Sequence, residues 1–408
     1  MNEATLEAPP PIRSPRLPPR VTKTQGIRNP QYRIPELDGL RGLAAIFVVS
    51  AHMVMFSRAL PSGHHDLFRQ ALECLGRVGL DVFFVISGFI ITKLLWQEWR
   101  ETSAVSLRAF YLRRAFRILP PFIVYFLVIL ALSAGAVIIV RPSAFVLSAL
   151  FLTNLAASVS NPNGGWFVGH TWSLSVEEQF YICFPVVVCL WARFRLLPTI
   201  LVLGFVFGLS EISDGLERIT SISLGTGGLR HFRYICVGVA FARFEGVAPG
   251  WLAGSSRPTA LGIWLAVIGL RMLDLATAGV PFHAVIHFVC GSIEPLALVA
   301  GVIWFVRNPA RCEPLRWGGL QWLGACSYSI YLWQQLFTGR PEFYGAGWLW
   351  PLAQSPVLAW VAILACAALS HYFVELPCIQ FGKRVVARLQ AGKAVPLHIK
   401  PKLVPAVR

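Results

Sequence analysis

The sequence predicts an all-α integral membrane protein of about ten transmembrane helices, with one short re-entrant or tilted segment and both termini cytoplasmic. Three observations predict it. Only 14% of the 408 residues are charged and 55% are hydrophobic, whereas a soluble domain carries about 25% charged residues. Apolar runs of about 20 residues recur along the chain, the length a helix needs to cross a bilayer. Those runs are continuous rather than alternating. Backbone polar groups in lipid must be satisfied within a helix or a closed barrel, and continuity selects the helix.

The ten predicted spans are 43–60, 78–97, 118–138, 172–192, 196–212, 231–246, 258–275, 283–306, 321–338 and 356–378. The apolar stretch 144–158 is short and is assigned as the re-entrant or tilted piece, because that choice keeps the basic residues in order. With the N-terminus inside, 27 of the 36 Lys and Arg residues face the cytoplasm, the asymmetry that orients membrane proteins. The nine assigned outside are Arg58, Arg69, Arg77, Arg141, Arg218, Arg230, Arg233, Arg271 and Arg340. Three regions follow. Residues 1–34 form a basic, proline-rich cytoplasmic tail with a disordered composition. Residues 35–381 form the transmembrane domain, and 382–408 a second basic tail.

The net charge of +16 does not indicate nucleic acid, since no basic stripe lies on a soluble domain. The nine cysteines are odd in number and none is spaced C-x-x-C. A disulfide framework and a zinc site are therefore not expected. The reading includes no metal and no bound cofactor.

Ionisable groups inside apolar spans are costly and are functional candidates by default. Arg41 and His52 are eleven residues apart, which places them on one helix face within about 20° and about 16 Å apart along the axis. Histidine there can act as base or nucleophile; the plainer alternative is a snorkelling arginine and a structural histidine. Asp38 could cap this helix. Asp81, in GLDVFFVISGF, needs a partner and could orient His52, or it could be wetted at a helix end. Gly79 and Gly88 beside it would let another helix approach closely. Arg113, Arg114 and Arg117 precede Pro120 and Pro121. Arg113 and Arg117 make an i,i+4 pair, and such clusters bind phosphates, although anchoring on the inside also explains them. In HTWSLSVEEQFY, Glu177 and Glu178 open an apolar span, with His170, Trp172, Ser173 and Tyr181 around them. Adjacent carboxylates in a low dielectric raise each other's pKa and suit proton transfer; an interfacial belt with solvated acids is the alternative.

These segments, in this order, resemble the acyltransferase-3 family of membrane O-acyltransferases. The resemblance runs from about Ile34 to Lys383 through IPELDGLRGLAAIFVVSAH, GLDVFFVISGFIITKLL, FYLRRAFRILPP, TWSLSVEEQFYICFP, LGACSYSIYLWQQ and YFVELP. It implies a bacterial inner-membrane enzyme that moves an acyl group, commonly acetyl, from cytoplasmic acyl-CoA to a hydroxyl of a glycan or glycolipid. In that frame His52, Asp81, Glu177 and Glu178 are the expected catalytic set. Arg41, Arg113, Arg114 and Arg117 would hold the donor, and Trp172, Ser173 and Tyr181 would meet the acceptor. Acyl-CoA is then a co-substrate. Two departures stand out. Gln334 stands where many members have histidine, and the extra C-terminal hydrolase-like domain of many members is expected to be absent. A rival reading from another class is a transporter or flippase for lipid-linked glycans, but no inverted repeat is visible.

Overall fold

The computed structural model describes residues 34–56, 67–102, 104–155, 162–194, 229–244, 250–277, 279–280, 282–345 and 348–391. The predicted tails, apart from Ile34 and residues 382–391, and the predicted span 196–212 lie outside them. Helices make up the architecture: α1 Pro35–Phe56, α2 Leu67–Thr102, α3 Leu107–Ala134, α4 Pro142–Ala149, α5 Pro162–Gly169, α6 Thr171–Phe194, α7 Leu229–Phe244, α8 Arg257–Ala276, α9 His283–Arg307, α10 Gly318–Ala325, α11 Ser327–Gln334, α12 Trp350–Gln354, α13 Pro356–Ser370 and α14 Leu376–Ala391. Among the described residues there is no strand, only an isolated antiparallel bridge between Ile138 and Tyr344.

Among the described residues, six helical segments are long and apolar enough to cross a membrane: Pro35–Met55, Leu67–Thr102, Leu107–Ala134, Arg257–Ala276, His283–Arg307 and Pro356–Ala391. Their outer faces are apolar and exposed, as with Ile123, Leu127 and Leu130 on α3 and Leu261 and Leu265 on α8. Asp81, Arg233, Glu294 and Glu375 are buried instead. Apolar surface outside and charge inside is the arrangement lipid favours and water penalises.

Several helices depart from the predicted ranges in ways that move the site. First, α1 begins at Pro35, so Asp38 lies within its first turn rather than capping it. Arg41 then lies in the second turn, and His52 sits close to the far end of α1 rather than at mid-span. Next, α2 runs for 36 residues, so Asp81 is interior to it. Third, α3 starts at Leu107, where the Ser106 hydroxyl accepts from the Ala109 amide at 3.4 Å. The arginines 113, 114 and 117 are thus helical and not in a loop. Pro120 and Pro121 sit inside α3 and remove two amide donors, a loss that neighbouring groups in a membrane bundle can offset. Close by, the Tyr328 hydroxyl donates to the Ile118 carbonyl at 2.8 Å.

The predicted span 321–338 is a broken rod: two eight-residue helices meet at Cys326 and a tight 3-10 turn, Gln335–Phe337, follows. Segment 144–158 holds the eight-residue α4 and a 3-10 turn at Thr153–Leu155, with Phe151 at φ 52° between them. Neither piece has the length of a spanning helix. Two glycines decide how closely α2 and α7 meet. A Cβ at Gly88 would lie 2.1 Å from the Ile235 carbonyl oxygen, and one at Gly238 would lie 2.2 Å from that of Val85. Backbone therefore touches backbone, as expected for Gly88 from small-residue packing.

The described cysteines are free, and Cys74, Cys236, Cys290, Cys312 and Cys326 are buried. In the loop after α9, burial pushes the Cys312 thiol up to about 11. That suits an inert filler rather than a nucleophile.

Candidate active site

An open cavity lies among α1, α2, α3, α6 and α11. Three guanidinium groups line it, from Arg41, Arg114 and Arg117, together with the carboxylate of Glu177. Arg41 packs 5.8 Å from the centroid of Phe83, and Arg114 lies 4.7 Å over the ring of Tyr181. The charged neighbours of Arg41 are Arg117, Asp38 and Glu177. Glu177 accepts from Ser87 at 2.7 Å through Oε1 and from Tyr181 at 3.3 Å through Oε2. Its charge is thereby fixed in place, and the arginines outnumber it. A positive, partly apolar cavity of this kind suits a phosphate-bearing ligand.

Arg113 is not part of it. The i,i+4 pairing of Arg113 with Arg117 predicted otherwise, but Arg114 and Arg117, three apart, share the inward face. Arg113 turns to Glu98, at 3.4 Å. The two glutamates also part company, because neighbours on a helix point about 100° away from each other. Glu177 lines the cavity. Glu178 is not among the lining residues; it is half-buried, with its Oε1 buried and without a hydrogen bond.

Asp81 does not orient His52. Its side chain is fully buried, with Oδ1 3.0 Å from His231 Nδ1 and Oδ2 2.8 Å from an Arg271 nitrogen. Arg271 also donates to Glu294 at 3.0 Å and to the Tyr234 hydroxyl at 2.8 Å. A four-helix charge network results, spanning α2, α7, α8 and α9. Arg233 and Arg271, both counted on the outer side in the charge tally, are inside the bundle; Arg233 donates to the Gly291 carbonyl at 2.8 Å. Trp172, expected to meet the acceptor, packs against His231 at 4.7 Å and Phe84 at 6.4 Å and is not among the cavity-lining residues. Ser173 and Tyr181 do line the cavity.

His52 is held by its own helix. Its Nδ1 is 2.9 Å from the Val48 carbonyl oxygen. A carbonyl can only accept, so Nδ1 carries the proton and Nε2 keeps its lone pair, the tautomer that a base or nucleophile requires. Around the ring lie Trp166, edge-on at 6.0 Å, the amide of Gln334 and the imidazole of His170. Both nitrogens of His170 and both amide atoms of Gln334 are buried without a well-formed hydrogen bond among the described residues. Buried polar atoms are nearly always satisfied, so these atoms beside His52 mark a place suited to a further polar group.

Two antiparallel ladders run between His52 and the cavity. On α1, Arg41 and His52 are eleven residues apart; on the segment opening α6, Tyr181 and His170 are also eleven apart, about 16 Å in each case. Arg41 has Tyr181 and Glu177 beside it, and His52 has His170 beside it. Between the two ends, the hydroxyls of Ser173 and Tyr331 meet at 2.6 Å. Both residues line the cavity, while the ring of Tyr331 lies 5.4 Å from that of His170. They lie between the cavity and His170.

Sequence reasoning named His170 and Gln334 only in passing and missed the charge network. A readable signal existed for the network: Arg271 and Glu294 both fall within spans predicted as apolar, and each implies a partner.

The family described as an acyltransferase domain matches residues 34–372. The chain is 27% identical over 384 residues to the peptidoglycan O-acetyltransferase OatA of Listeria monocytogenes, covering 84% of this chain and 55% of that protein. It is 26% identical over 401 residues to the O-acetyltransferase OatA of Staphylococcus aureus strain MRSA252, covering 90% of this chain and 60% of the relative. The chain therefore spans less than two thirds of the length of these relatives. No solved structure matches.

Proposed function

The chain belongs to the acyltransferase-3 family, and on that premise we propose that it is a multi-pass bacterial inner-membrane O-acyltransferase. It takes an acyl group, commonly acetyl, from cytoplasmic acyl-CoA to a hydroxyl of a glycan or glycolipid acceptor. The observation that carries this reading is the pairing of an arginine-lined cavity with a half-buried imidazole about 16 Å further along the same helix. In this reading ten spans leave both termini inside. A reporter fused at Asn308, just past the end of α9, then reports a cytoplasmic location; an external signal overturns the topology.

Arg41, Arg114 and Arg117 bind the phosphates of the coenzyme. The narrow pantetheine arm passes the Ser173–Tyr331 pair, whose hydroxyls part to admit it, and brings the thioester to His52. The Nε2 lone pair removes the proton of the acceptor hydroxyl as that oxygen attacks the thioester carbonyl; the thiolate leaves as CoA and takes up a proton. His170 and Gln334 supply the polar contacts that the reacting groups need in a site closed to water. Direct transfer needs fewer intermediates than an acyl-imidazole; a labelled acyl-enzyme trapped in the absence of acceptor would establish the latter.

The arginine assignment is testable by comparison. Arg114→Ala and Arg117→Ala raise the KM for acyl-CoA by about tenfold or more each, the scale of one lost charge-assisted contact of about 1.5–3 kcal/mol, while Arg113→Ala changes it little. Equal effects at all three positions would return the cluster to a role in topology alone. A glycan transporter, the alternative class, releases no free CoA from acyl-CoA, so thioester cleavage dependent on acceptor separates the two.

A further inference from the structure

The α8–α9 hairpin has one end tied near the cavity side of the bundle. Arg257 donates to the Arg311 carbonyl at 3.3 Å, and Arg316 reaches Glu36 at the start of α1 at 2.6 Å. The other end of the hairpin, at the opposite side of the bundle from the three cavity arginines, carries a different chemistry. Asp274 lies in the last turn of α8, and His283 and His287 lie one turn apart at the start of α9. The i,i+4 spacing puts both imidazoles on one face of α9, and the carboxylate of α8 faces them. One donor atom from each of the three residues lies within 4.8 Å of the others.

We propose that His283, His287 and Asp274 bind one divalent transition-metal ion of the zinc class. Two imidazoles and a carboxylate suit zinc, cobalt or nickel, whereas calcium and magnesium prefer all-oxygen sets. Zinc holds nitrogen at about 2.0–2.1 Å and carboxylate oxygen at about 2.0–2.2 Å, so donors on a common ion stand roughly 3–4 Å apart. His287 Nδ1 is already 2.9 Å from Asp274 Oδ1 and 3.1 Å from Oδ2. The ion replaces the proton they share and spreads the pair by a fraction of an ångström.

His283 is held ready by an outer partner. The Thr277 hydroxyl donates to the Leu273 carbonyl at 2.8 Å, and its oxygen is 3.3 Å from His283 Nδ1. With the threonine proton already committed, the imidazole Nδ1–H is the donor, and the lone pair of His283 is left on Nε2. That is how outer groups usually fix a metal-binding histidine. The cation on the same helix, Arg271, is engaged by Asp81 and Glu294, which lowers its cost to a nearby metal. Three protein ligands leave a fourth position for water. A metal here pins α8 to α9 at the end of the hairpin and so supports the Arg271–Glu294 pair one to two turns deeper. The absence of a cysteine motif hid this site from the sequence.

The test uses the full chain, purified with a tag free of histidine and stripped with a chelator. Titration with Co²⁺ is expected to saturate near one equivalent with visible ligand-field absorption, and Zn²⁺ is expected to displace it and raise the thermal midpoint. His283→Ala and Asp274→Asn abolish the absorption. Thr277→Val, which keeps the fold and all three ligands, weakens binding about tenfold or more, the scale of losing one outer partner. Failure of the wild type to bind in a saturable way, or equal binding by the His283→Ala/His287→Ala double variant, overturns the proposal.

Discussion

His52→Ala abolishes acyl transfer while leaving the amount of protein in the membrane unchanged. Loss of a positioned general base costs typically 10²–10⁴-fold in rate, and a nucleophile would cost at least as much. The fold should tolerate the change, because the ring's well-formed hydrogen bond goes to the carbonyl of its own helix at Val48, and that carbonyl remains in the helical ladder. The measurement is acceptor-dependent CoA release by purified protein, with membrane level checked by immunoblot. Two outcomes matter besides the rate. Binding of acyl-CoA is retained, because Arg41, Arg114 and Arg117 are untouched. His170→Ala also slows transfer, since its imidazole interacts with that of His52. Normal transfer by His52→Ala would remove the centre of the proposed mechanism.

Arg271→Leu destabilises the protein severely, by about 3–5 kcal/mol, the scale of breaking a buried ion pair and leaving its partner charged. Here two carboxylates, Asp81 and Glu294, lose their common cation, and Asp81 has no exposure to water. The loss is read as a drop in thermal midpoint in detergent and in the folded fraction recovered from membranes. The same physics predicts a rescue. Replacing Asp81 and Glu294 by leucine together with Arg271 recovers much of the stability, because replacing a whole buried charge set by apolar groups is often neutral or better. If Arg271→Leu is as stable as the parent, the network is incidental.

These two predictions rest on unequal amounts of sequence information. Arg41 and His52 were legible as a pair because both sit on one uninterrupted helix, where spacing alone sets direction. The same logic found Arg114, Arg117, Ser173, Glu177 and Tyr181. It failed for Arg113 and Glu178, one residue out of phase with true cavity residues, because helix boundaries and facing were not known to a single residue. It failed for Asp81 because choosing among partners on other helices is a question of contact, not of periodicity.

The amino-acid order was enough to establish helices in place of strands, the apolar exterior and the family resemblance, since composition and local periodicity act through neighbours a few residues apart. Which charged groups meet was settled only when the helices packed. Asp81 with Arg271 are 190 residues apart, and His52 faces His170 and Gln334 across three different segments. Such partners are chosen by the cost of leaving a polar atom buried and unpaired, a cost that exists only after water has been expelled from between the helices.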